Sequence, residues 1–145
     1  VDQRYFDQVV APVLAGSPHV EFIGEIDDLS KQQFLGNACA LLFPICWPEP
    51  FGLVMIEAMA CATPVIAFRQ GAVPEVLEDG LTGFVVEDVE EAAAAVKRLD
   101  VLFRPSIRSR FEERFSARAM AREYVRIYRQ LADLHDAPVR AVEAA

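Results

Sequence analysis

The chain has 145 residues and a formal net charge of −8, with 53% hydrophobic and 25% charged residues. That is the composition of one globular domain with a sizeable core, and no run approaches the ~20 apolar residues of a membrane-spanning helix. Residues 1–103 carry 5 basic and 16 acidic side chains and residues 104–145 carry 9 and 6, so the body is too acidic for a nucleic-acid partner, whose phosphates call for cations.

Cys39, Cys46 and Cys61 are odd in number and form no CxxC pair. A disulfide framework or metal site is therefore not expected, and a reducing, cytoplasmic setting fits better. His19 and His135 stand far apart, outside any cluster, which speaks against a His-based triad. The first residues show no secretory leader pattern. The chain opens at Val1 rather than Met and reads as an excerpt of something longer.

In chain order, Val20–Ile23 reads as a strand closed by Gly24, and Asp28 or Ser30 as the cap of a helix through Asn37. Ala40–Pro44 is a continuous apolar run, as expected of a strand buried on both faces. A Pro-rich loop, Ile45 to Phe51, leads into a helix over Leu53–Ala62 that Thr63-Pro64 ends. Val65–Phe68 and Phe84–Val86 are further strands, separated by loops at Gly71, Pro74, Gly80 and Gly83 around a short turn at Glu75–Leu77. Val89–Leu99 is an Ala-rich helix.

This alternation predicts an α/β fold, a Rossmann-like parallel sheet flanked by helices, over residues 1–103. A helical segment over 104–136 follows, with Ser116 capping a long last helix. Met120, Tyr124, Ile127, Tyr128, Leu131 and Leu134 recur there at three- and four-residue spacing, so one face is expected to pack. Residues 137–145 read as a disordered tail. Arg110, Arg114, Arg118, Arg122 and Arg126 recur every four residues. The favoured reading is a solvated face paired with Glu112, Glu113 and Glu123; the sharper one is contact with anionic lipid headgroups.

The most informative stretch is Pro48 to Phe68. Glu49 and Glu57 are separated by seven residues that are otherwise apolar or Gly/Pro, and Gly52 lies where a helix should begin. Charged groups are rarely buried without a partner. In open α/β sheets ligands bind beyond the carboxyl ends of strands, where Glu49 lies. Gly52 lets the backbone approach a ligand, the following N–H groups suit a phosphate, and Glu57 one turn on can accept two hydroxyls of a ribose or hexose. A phosphate flanked by polyols, as in a nucleotide-sugar, answers that pattern. The plainer reading has Glu49 capping the helix and Glu57 paired elsewhere.

Glu49-Pro-Phe-Gly-Leu-Val-Met-Ile-Glu57, then Thr63-Pro-Val-Ile-Ala, resembles the signature of the retaining group 1 glycosyltransferases with the GT-B fold. Val20-Glu-Phe-Ile-Gly24, Gly71-Ala-Val-Pro-Glu75, Asp79-Gly-Leu-Thr-Gly83 and Phe115-Ser116 are similar to other segments of that family. Ala62 stands where the family usually has Gly, and Ala72 where a second Gly is frequent. The resemblance implies the C-terminal domain of a GT-B fold, lacking its first βαβ unit. Glu49 would be the catalytic residue, contacting donor-sugar hydroxyls. Glu57 would take the ribose, and backbone N–H groups of Phe51, Gly52, Leu53 and Val54 would face the diphosphate or sugar. No cofactor or metal is implied, the nucleotide-diphosphate-sugar being a substrate.

The family's Arg/Lys diphosphate clamp would precede Val1, and Arg4, Lys31 and Arg69 are poor substitutes. A sugar or lipid-linked acceptor would bind an N-terminal domain outside this sequence. The excerpt alone is expected not to turn over, and an exposed edge strand to invite self-association. Localisation is expected to be cytoplasmic, with peripheral contact at the inner membrane face. Two rival readings are a non-catalytic α/β interaction domain with structural glutamates and a nucleotide-sugar epimerase of related fold.

Overall fold

The computed structural model describes residues 3–135. The chain forms two compact units, residues 1–31 and 32–145. The tail expected at 137–145 and the C-terminal limit of the helical segment lie outside the described residues.

In the first unit, α1 (Gln3–Tyr5), a π-helical turn (Phe6–Val10) and α2 (Ala11–Ala15) follow one another without a break. Ala11 N–H donates to the Phe6 carbonyl, one residue further back than in an α-helix. Pro12 has no N–H and disturbs the ladder at this point. The Phe6 ring lies 4.9 Å from that of Phe22. Val20–Ile23, expected as a strand, is irregular. A strand exists only as one side of a ladder, and this unit offers none among its described residues. Asp27, rather than Asp28 or Ser30, caps α3 (Asp28–Asn37), its carboxylate accepting from the Ser30 N–H at 2.7 Å.

The second unit is a parallel sheet, β1 (Leu41–Phe43), β2 (Val65–Phe68) and β3 (Gly83–Val86), in that spatial order. Leu41 aligns with Val65, and Val65 with Gly83. The strand period of two divides the apolar side chains between two faces. Val65 and Ala67 pack with Met55, Ala58 and Met59 of α4 (Leu53–Ala60), with Val73 and Val76 of α5 (Val73–Val76), and with Ile107 of α7 (Arg104–Arg114). Ile66, Phe84 and Val86 pack on the other face with Ala95 of α6 (Val89–Val96) and with Leu102. Met55 and Met59 are fully buried, so truncating either to Ala would cost about 2–5 kcal/mol. The expected fold class, a small parallel sheet flanked by helices and ended by a long helix, is the one observed.

Polar clamps tie α7 to this body. Arg104 donates to the carbonyls of Ala38 and Gly36 and to Thr63 Oγ1, each at 2.9 Å. Thr63 is itself fully buried and donates to the Leu35 carbonyl at 2.7 Å, which accounts for a polar residue in the core. Arg110 grips Glu78 with two nitrogens, and Arg114 reaches the same carboxylate at 2.8 Å. Among the described residues the expected pairing of the arginine series holds for Arg110 with Glu113 and Arg126 with Glu123. Arg114 turns instead to Glu78, Glu75 and Val76.

The last helix, α8 (Ala117–His135), begins where expected, with Ser116 Oγ accepting from Ala119 N–H at 3.2 Å. Its apolar face does not pack: Met120, Tyr124, Ile127, Tyr128 and Leu131 are exposed. Nineteen residues span about 28 Å, and among those whose burial is described, residues 117–133, only Ala119, near the start, is buried. Periodicity reports that a face is apolar and is silent on what covers it.

Burial pushes the Glu78 carboxyl up, but hydrogen bonds and charge from Arg110 and then Arg114 outweigh it and leave the pKa below its ordinary 4.5. A lowered acid contributes stability above its unfolded pKa and loses it as pH falls through the folded value. Glu78→Gln is expected to lower Tm by roughly 2–5 °C at neutral pH, with the difference from wild type closing as pH falls below the ordinary carboxylate value. A difference independent of pH in thermal melts would contradict this assignment.

Candidate functional site

The site lies in the loop that leaves the carboxyl end of β1. Pro48 and Pro50 flank Glu49 and restrict the backbone on both sides. Glu49 N–H donates to the Trp47 carbonyl at 2.8 Å, closing a tight turn, and Glu49 C=O accepts from Ala72 N–H at 2.9 Å. Both carboxylate oxygens are engaged: Oε1 accepts from Gly52 N–H at 3.1 Å and Oε2 from the Trp47 indole at 3.2 Å. An ionised carboxylate offers about four acceptor positions, so each oxygen keeps one for a further donor.

Gly52 is the residue preceding α4 and has φ of +74°. A Cβ there would come within 2.6 Å of the Met55 methyl. The left-handed turn swings the chain from the Glu49 loop into the helix, and the first N–H groups of α4 point out of its end. Glu57 lies about one turn along α4 and is half-buried, beside the buried Met55, Ala58 and Met59. Phe51 packs edge-on to Phe115, centroids 6.3 Å apart. Leu53 is exposed and Val54 partly so.

The structure thus joins Glu49 and Gly52 by a direct bond and carries Phe51, Leu53, Val54 and Glu57 on the same loop and helix. The plainer reading of Glu49 is partly realised, since one oxygen does serve the helix entrance. Arg69 is tied to Glu87 at 2.6 Å and Lys31 to Asp28 at 3.1 Å. Among the cysteines, only Cys61 packs against the core, Cys39 and Cys46 being exposed. Ala62 adopts φ of +60°, the left-handed conformation that favours glycine.

Two residues of the site escaped the sequence pattern. Trp47 holds Oε2, its only signal being an aromatic two residues before the glutamate. Gly71, with φ of +49°, lies against the Glu49 backbone: a Cβ would fall 2.3 Å from the Glu49 carbonyl oxygen and 2.5 Å from its nitrogen. Gly71→Ala is expected to destabilise the fold by about 1–3 kcal/mol from backbone strain alone and to shift the Glu49 and Gly52 amide resonances. An unchanged melt and unchanged shifts would show that the approach is not required.

Comparison with known proteins accords with this geometry. Residues 3–100 match the family described as glycosyl transferases group 1. The chain is 31% identical over 121 residues to phosphatidyl-myo-inositol mannosyltransferase of Mycobacterium leprae, covering 79% of this chain and 32% of that protein. It is 34% identical over 88 residues to N-acetyl-alpha-D-glucosaminyl L-malate synthase of Bacillus anthracis, covering 58% and 22% respectively. Sucrose-phosphate synthase from Thermosynechococcus elongatus superposes with a TM-score of 0.75 at 30% identity, over 91% of this chain and 35% of that one. The chain therefore spans between about a fifth and about a third of the length of these relatives. A parallel sheet with an acidic loop and a glycine-led helix at its carboxyl end, matched over this length, places the chain in the group 1 glycosyltransferase family, with the GT-B fold.

Proposed function

We propose that this chain is the donor-binding part of a retaining glycosyltransferase that moves a hexose from a nucleotide-sugar to an acceptor. The observation that carries the reading is the Glu49 carboxylate, pinned by the Gly52 N–H at the entrance of a helix, whose first N–H groups have no partner within the helix. A carboxylate so held can accept sugar hydroxyls. The N–H groups of Phe51, Leu53 and Val54, with the helix dipole, suit the diphosphate. Gly52 gives its own N–H to Glu49 and, by lacking a Cβ, turns the chain into α4. Glu57, further along α4, takes the ribose. Phosphate is met by backbone donors and dipole in this reading, which calls on no metal.

With Arg69 and Lys31 engaged in ion pairs, a cationic clamp for the leaving diphosphate would come from a further segment. The isolated chain is then expected to bind without turning over, since such clamps carry a large share of the rate. Titration of the chain with nucleotide-sugars is expected to move the amide resonances of Gly52 and Glu57. In the full-length protein, Glu57→Ala should raise the donor KM roughly tenfold, the loss of charge-assisted hydrogen bonds. Silent resonances at millimolar ligand together with an unchanged KM favour the rival reading, an interaction domain with structural glutamates.

We further propose a cytoplasmic setting with peripheral membrane contact. Among the described residues Arg118, Arg122 and Arg129 make no ion pair, and by helical spacing they stand on the side of α8 opposite Met120, Tyr124, Ile127 and Leu131. Such a face suits anionic headgroups. The open edge of β1 supports self-association of the isolated chain. Co-sedimentation with anionic and zwitterionic vesicles, and a lipid-free control at rising concentration, reads both. Equal binding to the two vesicle types removes the membrane proposal, and a monomeric control removes self-association.

A further inference from the structure

We propose that Trp47 is a positioning residue for Glu49, its indole N–H aiming the carboxylate at the donor sugar; this rests on the donor-site reading above. The indole is 58% exposed and belongs to neither apolar cluster, so core packing does not explain it. It donates to Glu49 Oε2 at 3.2 Å while Gly52 N–H holds Oε1 at 3.1 Å. Two donors on two different oxygens fix the plane of the carboxylate as well as its place, which one donor cannot do.

The choice of tryptophan follows from its chemistry. An indole is a donor only and carries no charge. It can orient a carboxylate without neutralising it, where a lysine or arginine would compete with the sugar as its ion partner. The turn that brings the two side chains together is stiff before any ligand arrives. Pro48 separates the residues, Glu49 N–H closes on the Trp47 carbonyl, and Ala72 N–H holds the Glu49 carbonyl. Preorganisation of this kind lowers the ordering cost of binding.

The test separates the sugar from the rest of the donor. In the full-length protein, Kd is measured for UDP-glucose against UDP and for GDP-mannose against GDP. Trp47→Phe keeps an aromatic ring and removes the N–H. It is expected to lower the affinity ratio of nucleotide-sugar to nucleoside diphosphate about three- to tenfold, the worth of one hydrogen bond to a charged group near solvent. Binding of the nucleoside diphosphate serves as the folding control and should not change in this variant. Glu49→Ala should lower the same ratio, and adding Trp47→Phe to it should lower the ratio no further. Equal weakening of both ligands, no change, or additive losses in the double variant would overturn the positioning role, while the donor site stands if Glu49→Ala still loses the sugar's share. No loss from Glu49→Ala, or no binding by either pair of ligands, would overturn the donor-site reading and this inference with it.

Discussion

The N–H of Ala72 reaches the carbonyl of Glu49 at 2.9 Å, and a glycine at position 71 makes that approach possible. Two loops, one after β1 and one after β2, are thereby held backbone to backbone at the carboxyl edge of the sheet. The consequences spread from there. Glu49 has its main chain held on both sides, so its carboxylate has little freedom beyond its own torsions. Gly52 can then meet it, and α4 starts from a fixed point. A larger residue at 71 would push the loop away from the sheet edge and loosen every contact built on it.

Beneath the site the scaffold is stiffened by polar contacts as much as by its apolar layers. Met55, Ala58 and Met59 press α4 onto β2. On the far side, Arg104 secures the carbonyls at the end of α3 together with Thr63, and Arg110 and Arg114 converge on Glu78. Hydrogen bonds to charged groups are worth about 1.5–3 kcal/mol each where water is largely excluded. These are only partly shielded and contribute less. Their effect is directional: they set α7 across α4, and α4 in turn carries Glu57.

Much of this was legible in the sequence, for identifiable reasons. Strands buried on both faces are continuously apolar, so β2 and β3 stood out, and α4 lay between a glycine and Thr63-Pro64. The run at β1 read the same way, but Leu42 is exposed and the strand is buried only in part, so apolar composition located it without describing its faces. Glu49, Gly52 and Glu57 were visible because charge and glycine are conspicuous in so apolar a stretch. What stayed hidden depended on partners distant in sequence. Val20–Ile23 has strand composition but no ladder. The helical stretch from Gln3 to Ala15 was obscured by Pro12, which the chain absorbs with a wider turn. Arg114 chose Glu78, 36 residues away, over neighbours one helical turn off. Gly71 read as an ordinary loop glycine, since a close approach between loops leaves no periodicity. Ala62 read only as a departure from a glycine of the resembled family, and its φ of +60° is a conformation that favours glycine.

The central claim is that the Glu49 carboxylate, held by Gly52 and Trp47, receives a donor sugar while Glu57 receives the ribose. A crystal structure of the full-length protein with an intact nucleotide-sugar tests it most directly. The account predicts a sugar hydroxyl within about 3 Å of a Glu49 carboxylate oxygen and a ribose hydroxyl equally close to Glu57. A donor bound with neither glutamate in contact would contradict it.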